Sequence, residues 1–360
     1  MRFASVIPLW TLAAPVIAWL LLAGTRFGLG GAFLALVAAG LIGAVLSAVH
    51  HAEVVAHRVG EPFGTLVLAV AVTVIEVALI VSLMLAGGPA TTALARDTVF
   101  AAVMIILNGI VGLCLLLGGA RFREQSFGLH GVSASLATLA AIVVLTLVLP
   151  NYTVSAPGPV FNSSQLVFIA VVSLILYGTF VFAQIIRHRD YFLPVQAAGD
   201  EAVHAAAPSA GAAALSGVLL IACLGVVVLL AKALAPAIET GTAAIGAPNA
   251  LVGVVIAAVV LLPEGLAALR AARADRLQTS LNLALGSALA SIGLTIPTVA
   301  IVSLATGLEL TLGIDIKSTV LLLLSMFVTA ISLGTGRTTV LQGTALLVIF
   351  ATYLFTTVVP

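Results

Sequence analysis

Charge is what this sequence has least of. Only 8% of its 360 residues are Asp, Glu, Lys or Arg, where a soluble domain carries roughly 25%. That shortage excludes a soluble globular domain. The formal net charge is +1, so there is no basic surplus to hold a nucleic acid. Cysteine is nearly absent. Cys114 and Cys223 both lie inside apolar runs, which argues against a disulfide framework or a zinc site. The six histidines are dispersed, and no His-Glu-x-x-His spacing marks a metalloprotease. No protease dyad is visible either, so an intramembrane enzyme is disfavoured and no cofactor is called for.

What is abundant is hydrocarbon. The chain is 62% hydrophobic, with a mean hydropathy of +1.29. This is the composition of a polytopic membrane protein whose principal partner is the lipid bilayer. A spanning helix needs about 20 apolar residues. Runs of that kind predict eleven transmembrane helices, at residues 4–23, 27–50, 62–86, 95–119, 130–149, 163–186, 213–234, 248–272, 279–306, 317–333 and 339–358. The first run follows one Arg and contains Pro8 and Pro15. Its length suits a retained helix better than a cleaved signal peptide. Turn-forming residues at 87–89, 150–159 and 334–336 mark breaks. The polar stretch 187–211 reads as a loop joining two halves.

Lys and Arg concentrate in cytoplasmic loops. With the N-terminus inside, Arg2, Arg58, Arg121, Arg123, Arg187, Arg189, Arg270, Arg273, Arg276 and Arg337 are cytoplasmic. Arg26, Arg96, Lys232 and Lys317 are outside. The asymmetry predicts a cytoplasmic N-terminus and a periplasmic C-terminus. The layout is then an extra N-terminal helix (1–25), a five-helix repeat (26–186), a cytoplasmic linker (187–212) and a second five-helix repeat (213–360) of opposite orientation. Inverted repeats with a midplane substrate site are a transporter architecture.

The acids carry most of the functional argument. Of thirteen acids, only Glu76 and Glu264 fall near the middle of predicted spans, each on the second helix of its repeat. A carboxylate at bilayer depth is expensive and is kept mainly for function. Burial raises a carboxyl pKa and a nearby cation lowers it, so protons and cations would compete for these groups. Pro263 precedes Glu264 and lacks the N–H that would pair with the Val259 carbonyl, leaving a hard oxygen for a cation. An ordinary proline kink is the plainer alternative.

Other polar side chains could add oxygens. Asn108 lies mid-helix in an apolar run. Ser287, Ser291 and Thr295 recur at four-residue spacing along one helix stripe. Thr73 lies about one turn before Glu76. Small polar residues also serve as packing glue. His50, His51 and His57 cluster in a segment predicted to be cytoplasmic, where they could sense pH. A solvated charge cluster is the simpler reading of that segment.

These residues give the chain a resemblance to the calcium/cation–proton antiporter (CAX) family, nearest its bacterial sodium(potassium)/calcium–proton branch. The first repeat carries it through Glu53, Gly60-Glu61, Gly64-Thr65-Leu66 and Glu76. The second carries it through Leu262-Pro263-Glu264 and residues 276–297. A tail signature follows at Gly336-Arg337 and Leu341-Gln342-Gly343. The resemblance implies an all-α, cation/calcium exchanger-like fold with eleven helices and two inverted repeats. It also implies exchange of H⁺ for Ca²⁺, Na⁺ or K⁺ at the two glutamates. There are departures. Val72-Thr73 and Val260-Leu261 stand where the family commonly has Gly-Asn. Ala290, next to Ser291, replaces a usual Gln, and Gln342 a usual Glu. Calcium prefers six to eight oxygens, so fewer strong ligands make monovalent cations more credible. Glu76, Glu264, Asn108, Ser287 and Ser291 are the expected cation ligands. A cation channel with a paired-glutamate filter is the competing reading, and homo-oligomerisation is left open.

Overall fold

The computed structural model describes residues 7–28, 30–60, 63–87, 91–193, 208–244, 246, 248 and 250–359. It is almost entirely helical. In chain order come α1 (Leu9–Thr25), α2 (Ala32–Val59), α3 (Phe63–Gly87) and α4 (Leu94–Met104). A π-helical segment (Ile105–Ile110) joins α4 to α5 (Val111–Phe122) without a break. Then follow β1 (Gln125–Ser126), α6 (Leu129–Val143), α7 (Ser163–Phe182), α8 (Ala210–Ala244), α9 (Ala250–Arg273) and α10 (Leu277–Thr306). The chain closes with α11 (Ile316–Leu333), β2 (Arg337–Thr338) and α12 (Val340–Val358). Among the described residues, nine helical segments are long and apolar enough to cross a membrane. Two shorter apolar helices, Leu9–Thr25 and Ala69–Leu85, accompany them.

Several predicted boundaries move, each for a local reason. The helix expected to stop at residue 50 runs on to Val59, because nothing in 51–59 breaks it. Gly60, at φ 79, ends it in a conformation that suits glycine. The histidine segment is therefore largely helix rather than loop. The helix expected at 213–234 spans Ala210–Ala244 and tolerates Pro236. Pro263 sits inside α9, which continues through it. Two further π segments, Val144–Val148 and Ala183–Arg187, extend α6 and α7. Of the stretch 187–211, a 3₁₀ turn (Arg189–Phe192) and the start of α8 are described. Residues 194–207 lie outside the described residues, as do 88–90 at the Gly-Gly-Pro break.

Side chains cap the starts of α7, α11 and α12. Asn162 and Gln165 close a capping box at α7, and Thr339 and Gln342 close one at α12. Asp315 accepts from the Ser318 N–H at the start of α11. Each cap satisfies backbone donors that the first turn leaves open.

The chain divides into two compact units. In the first, α2 packs against α1, α3 and α8. The second contains α4–α7 and α9–α12. Its core is the continuous span Leu94–Phe122, most of which is buried, together with α10. Phe168, Ile175, Ile301, Phe327 and Phe355 are each more than half exposed. A membrane helix presents such a surface to lipid, while its backbone bonds close internally.

α5 and α12 touch at two glycines. A Cβ on Gly112 would lie 3.1 Å from Leu346 Cβ. A Cβ on Gly343 would meet the Leu116 backbone nitrogen and lie 2.8 Å from the Gly112 carbonyl. Small residues let membrane helices approach this closely. Gly343→Ala is therefore expected to cost about 1–3 kcal/mol through overpacking. Gly178→Ala, where nothing lies within 4 Å, should cost nothing. Thermal unfolding in detergent compares the two.

Candidate functional site

Glu76 lies in the first unit, on α3, and is 3% exposed. Ile75, Leu79 and Ile80 on the same helix are buried as well. Thr73 is buried too. Its hydroxyl donates to the Ala69 carbonyl at 2.9 Å, which spends the hydrogen and leaves the oxygen lone pairs.

Glu264 lies in the second unit, on α9, between a buried Pro263 and Gly265. The residue is half-buried and its Oε2 atom is fully buried. A Cβ on Gly265 would stand 3.2 Å from Ile110, so α9 lies directly against the π segment. That segment carries Asn108, which is completely buried. The Asn108 amide Nδ2 donates to the Met104 carbonyl at 3.3 Å and to Ser325 Oγ on α11 at 2.9 Å. Among the described residues its Oδ1 has no hydrogen-bond partner.

α10 also packs on α9 and on the π segment. Along it Ser287 is half-buried, Ser291 is buried, and Thr295 is fully buried. Thr295 Oγ1 has no hydrogen-bond partner among the described residues. Glu264, Asn108, Ser287 and Ser291 all lie in the second unit, on α9, the π segment and α10, elements that pack on one another. Among the described residues no three His, Cys, Asp or Glu are grouped to hold a metal ion. A cation here would be held by mixed carboxyl, amide and hydroxyl oxygens, the donor set of hard cations.

The three histidines have separate fates. His57 is exposed and His50 half-buried, its ring 5.9 Å from that of Trp10. His51 is fully buried in the first unit. Its Nε2 lies 3.2 Å from the Thr11 carbonyl and its Nδ1 3.2 Å from Ser216 Oγ. A carbonyl only accepts, so Nε2 carries the hydrogen and, in the neutral ring, Nδ1 accepts from Ser216. Ser47 Oγ donates to the same Thr11 carbonyl at 2.8 Å. That carbonyl lacks its helical donor because Pro15, four residues on, has no N–H. His51 and Ser47, one turn apart on α2, take the donor's place.

Other polar contacts escaped the sequence reading. Ser325, with Thr329 one turn on, is a small polar residue inside the apolar run of α11. A cavity of about 200 Å³ in the second unit is lined by Arg96, Asp97, Asp315, Lys317 and Tyr353. There Arg96 Nε meets Asp97 Oδ1 at 2.8 Å and its guanidinium also holds the Gly313 carbonyl.

The sequence profile of the sodium/calcium exchanger protein family matches residues 29–186 and 215–359. The chain belongs to that family. A protein named for ionic transport, y4hA of Sinorhizobium fredii, is 50% identical to this exchanger over 359 residues, covering 98% of this chain and 97% of its own. The sodium-potassium/proton antiporter ChaA of Escherichia coli is 38% identical over 319 residues, covering 88% and 86%. Among solved structures, native YfkE superposes with a TM-score of 0.74 at 17% identity, covering 98% of this chain and all of that one. The H⁺/Ca²⁺ exchanger CAX gives 0.70 at 15% identity, covering 98% and 89%. At such identities the likeness establishes the fold. The exchanger is a transporter and not an enzyme, and its apolar helices make it a multi-pass protein of a bacterial membrane.

His51→Ala should leave the Thr11 carbonyl with one donor fewer and strand Ser216. A buried polar group left unmatched costs about 1–3 kcal/mol, read as a lower unfolding temperature in detergent. His57→Ala, at an exposed position, should leave that temperature unchanged.

Proposed function

We propose that the exchanger is a secondary active antiporter that exports Ca²⁺, Na⁺ or K⁺ from the cytoplasm in exchange for inward H⁺. The observation that carries this reading is a carboxyl on each of two apolar membrane helices, Glu76 on α3 and Glu264 on α9. Each would release its proton when a cation arrives and take one back when the cation leaves. A group that can hold either a cation or a proton, but not both, couples the two flows. Asn108, Ser287, Ser291 and the Val259 carbonyl would add neutral oxygens. A carboxylate with neutral oxygens forms a sparse set for Ca²⁺, which favours Na⁺ and K⁺. The name of the ChaA relative, a sodium-potassium/proton antiporter, supports the same direction.

The same reading takes the chain to cross the membrane eleven times, with the N-terminus cytoplasmic and the C-terminus periplasmic. Residues 26–186 and 213–360 are the inverted repeats, joined by the linker at 187–212 after the N-terminal helix at 1–25. Alternating exposure of the acids to the two sides then follows the logic of inverted-repeat transporters. His50 and His57 are the proposed cytoplasmic pH sensors, with His51 serving mainly as an internal hydrogen-bonding partner.

The test uses everted vesicles energised by respiration, with a fluorescent dye reporting the proton gradient. Adding Na⁺, K⁺ or Ca²⁺ separately should dissipate the gradient for each true substrate. The apparent affinity for that cation should fall as pH falls, because protons compete for the same carboxylates. Glu76→Gln and Glu264→Gln should each bring exchange down to the level of vesicles without the protein. Full exchange by both variants would remove the glutamates from the mechanism. Cation current with no proton movement would identify a channel. Replacing His50 and His57 should shift the pH activation profile, and an unchanged profile would end their sensing role.

A further inference from the structure

We propose that Ser325 is a positioning residue that orients the Asn108 side-chain carbonyl as a cation ligand. This rests on the reading of Asn108 as part of the cation site. Ser325 lies on α11 and Asn108 on the π segment, both within the second unit. Both side chains are fully buried.

The orientation of the amide follows from its partners. The Met104 carbonyl, 3.3 Å from Nδ2, can only accept. Ser325 has one hydroxyl hydrogen, directed to the Leu321 carbonyl at 2.7 Å with Met104 Sδ as a longer alternative at 3.5 Å, and both of these only accept. Toward Asn108, at 2.9 Å, Ser325 Oγ must therefore accept. Two acceptors that share no atom thus both demand the NH₂ end. The Oδ1 end is turned away from them, fully buried and, among the described residues, without a donor. A buried amide carbonyl with no donor is costly to maintain. A cation is the natural partner for such an oxygen, and the hydroxyl that accepts from Nδ2 is what keeps the oxygen presented. The π segment adds to the case, since single-turn π bulges often occur at functional sites. Thr329, one turn beyond Ser325 on α11, is likewise fully buried, with a hydroxyl that has no partner among the described residues.

The same vesicle assay tests the proposal, with apparent KM and maximal rate measured for each exchanged cation. Ser325→Thr keeps the hydroxyl, whereas Ser325→Val has the same shape without it. Ser325→Val should raise the apparent KM about fivefold or more while the maximal rate stays within about twofold, the pattern of lost binding. Ser325→Thr should remain near wild type. Asn108→Ala should raise KM at least as much, and adding Ser325→Val to it should change nothing further. If Asn108→Ala raises KM while both Ser325 variants keep the wild-type value, Ser325 has no positioning role and the Asn108 reading stands. If Asn108→Ala keeps the wild-type KM, Asn108 is no ligand and both ideas fall. A loss of rate at constant KM in Ser325→Val would mark a merely structural hydroxyl and overturn the proposal. Should Ser325→Val fail to fold by gel filtration, Ser325→Ala makes the same comparison without added bulk.

Discussion

A backbone carbonyl or amide surrounded by hydrocarbon has no water to turn to. Each one must be satisfied within the protein or carry an energetic cost. Much of this structure follows from that constraint. Serine and threonine hydroxyls within the helices bond back to carbonyls one turn earlier, as Thr73, Thr98, Ser135, Thr146 and Thr298 do. Where Pro15 removes a donor from α1, Ser47 and His51 of α2 reach the Thr11 carbonyl instead. What reads in sequence as a helix breaker followed by a distant histidine is, in the fold, the fastening of one helix to its neighbour.

The same constraint makes the exceptions informative. A transporter cannot satisfy every polar group with protein, because some must be left for the cargo. Asn108 shows both treatments within one side chain: an amide nitrogen that donates to the Met104 carbonyl, Met104 Sδ and Ser325 Oγ, and a buried carbonyl oxygen with no donor among the described residues. A carboxyl in an apolar span carries a desolvation cost, which is why Glu76 and Glu264 stand out in the sequence. The two polar chemistries differ in kind. His51 knits the first unit together, whereas the Asn108 carbonyl oxygen, in the second, has no donor among the described residues.

Sequence made some of this legible. Glu76 and Glu264 stood out because a charge in an apolar run has few explanations, and membership of the exchanger family was readable around them. Asn108 was visible for the same reason. The length of α2 was not, because two adjacent histidines and a glutamate look like a loop when judged by polarity alone. The helix continues because those residues are adequate helix formers and His51 has buried partners. The π segments were illegible because a one-residue insertion in the hydrogen-bond ladder leaves no compositional trace. Ser325 was passed over because a single serine in a membrane helix is usually packing glue, and only the Nδ2 contact distinguishes it.

Both capping boxes, at α7 and α12, are closed by glutamine: Gln165 and Gln342. Glutamate would serve equally well in a cap at neutral pH, but it titrates. Protonated, it would lose charge and acceptor strength, and the helix start would loosen as acidity rose. An amide has no such midpoint. The starts of these two helices are therefore indifferent to proton concentration on either face of the membrane. In a molecule proposed to answer to that concentration, the starts of α7 and α12 rest on side-chain caps that hold no titratable group.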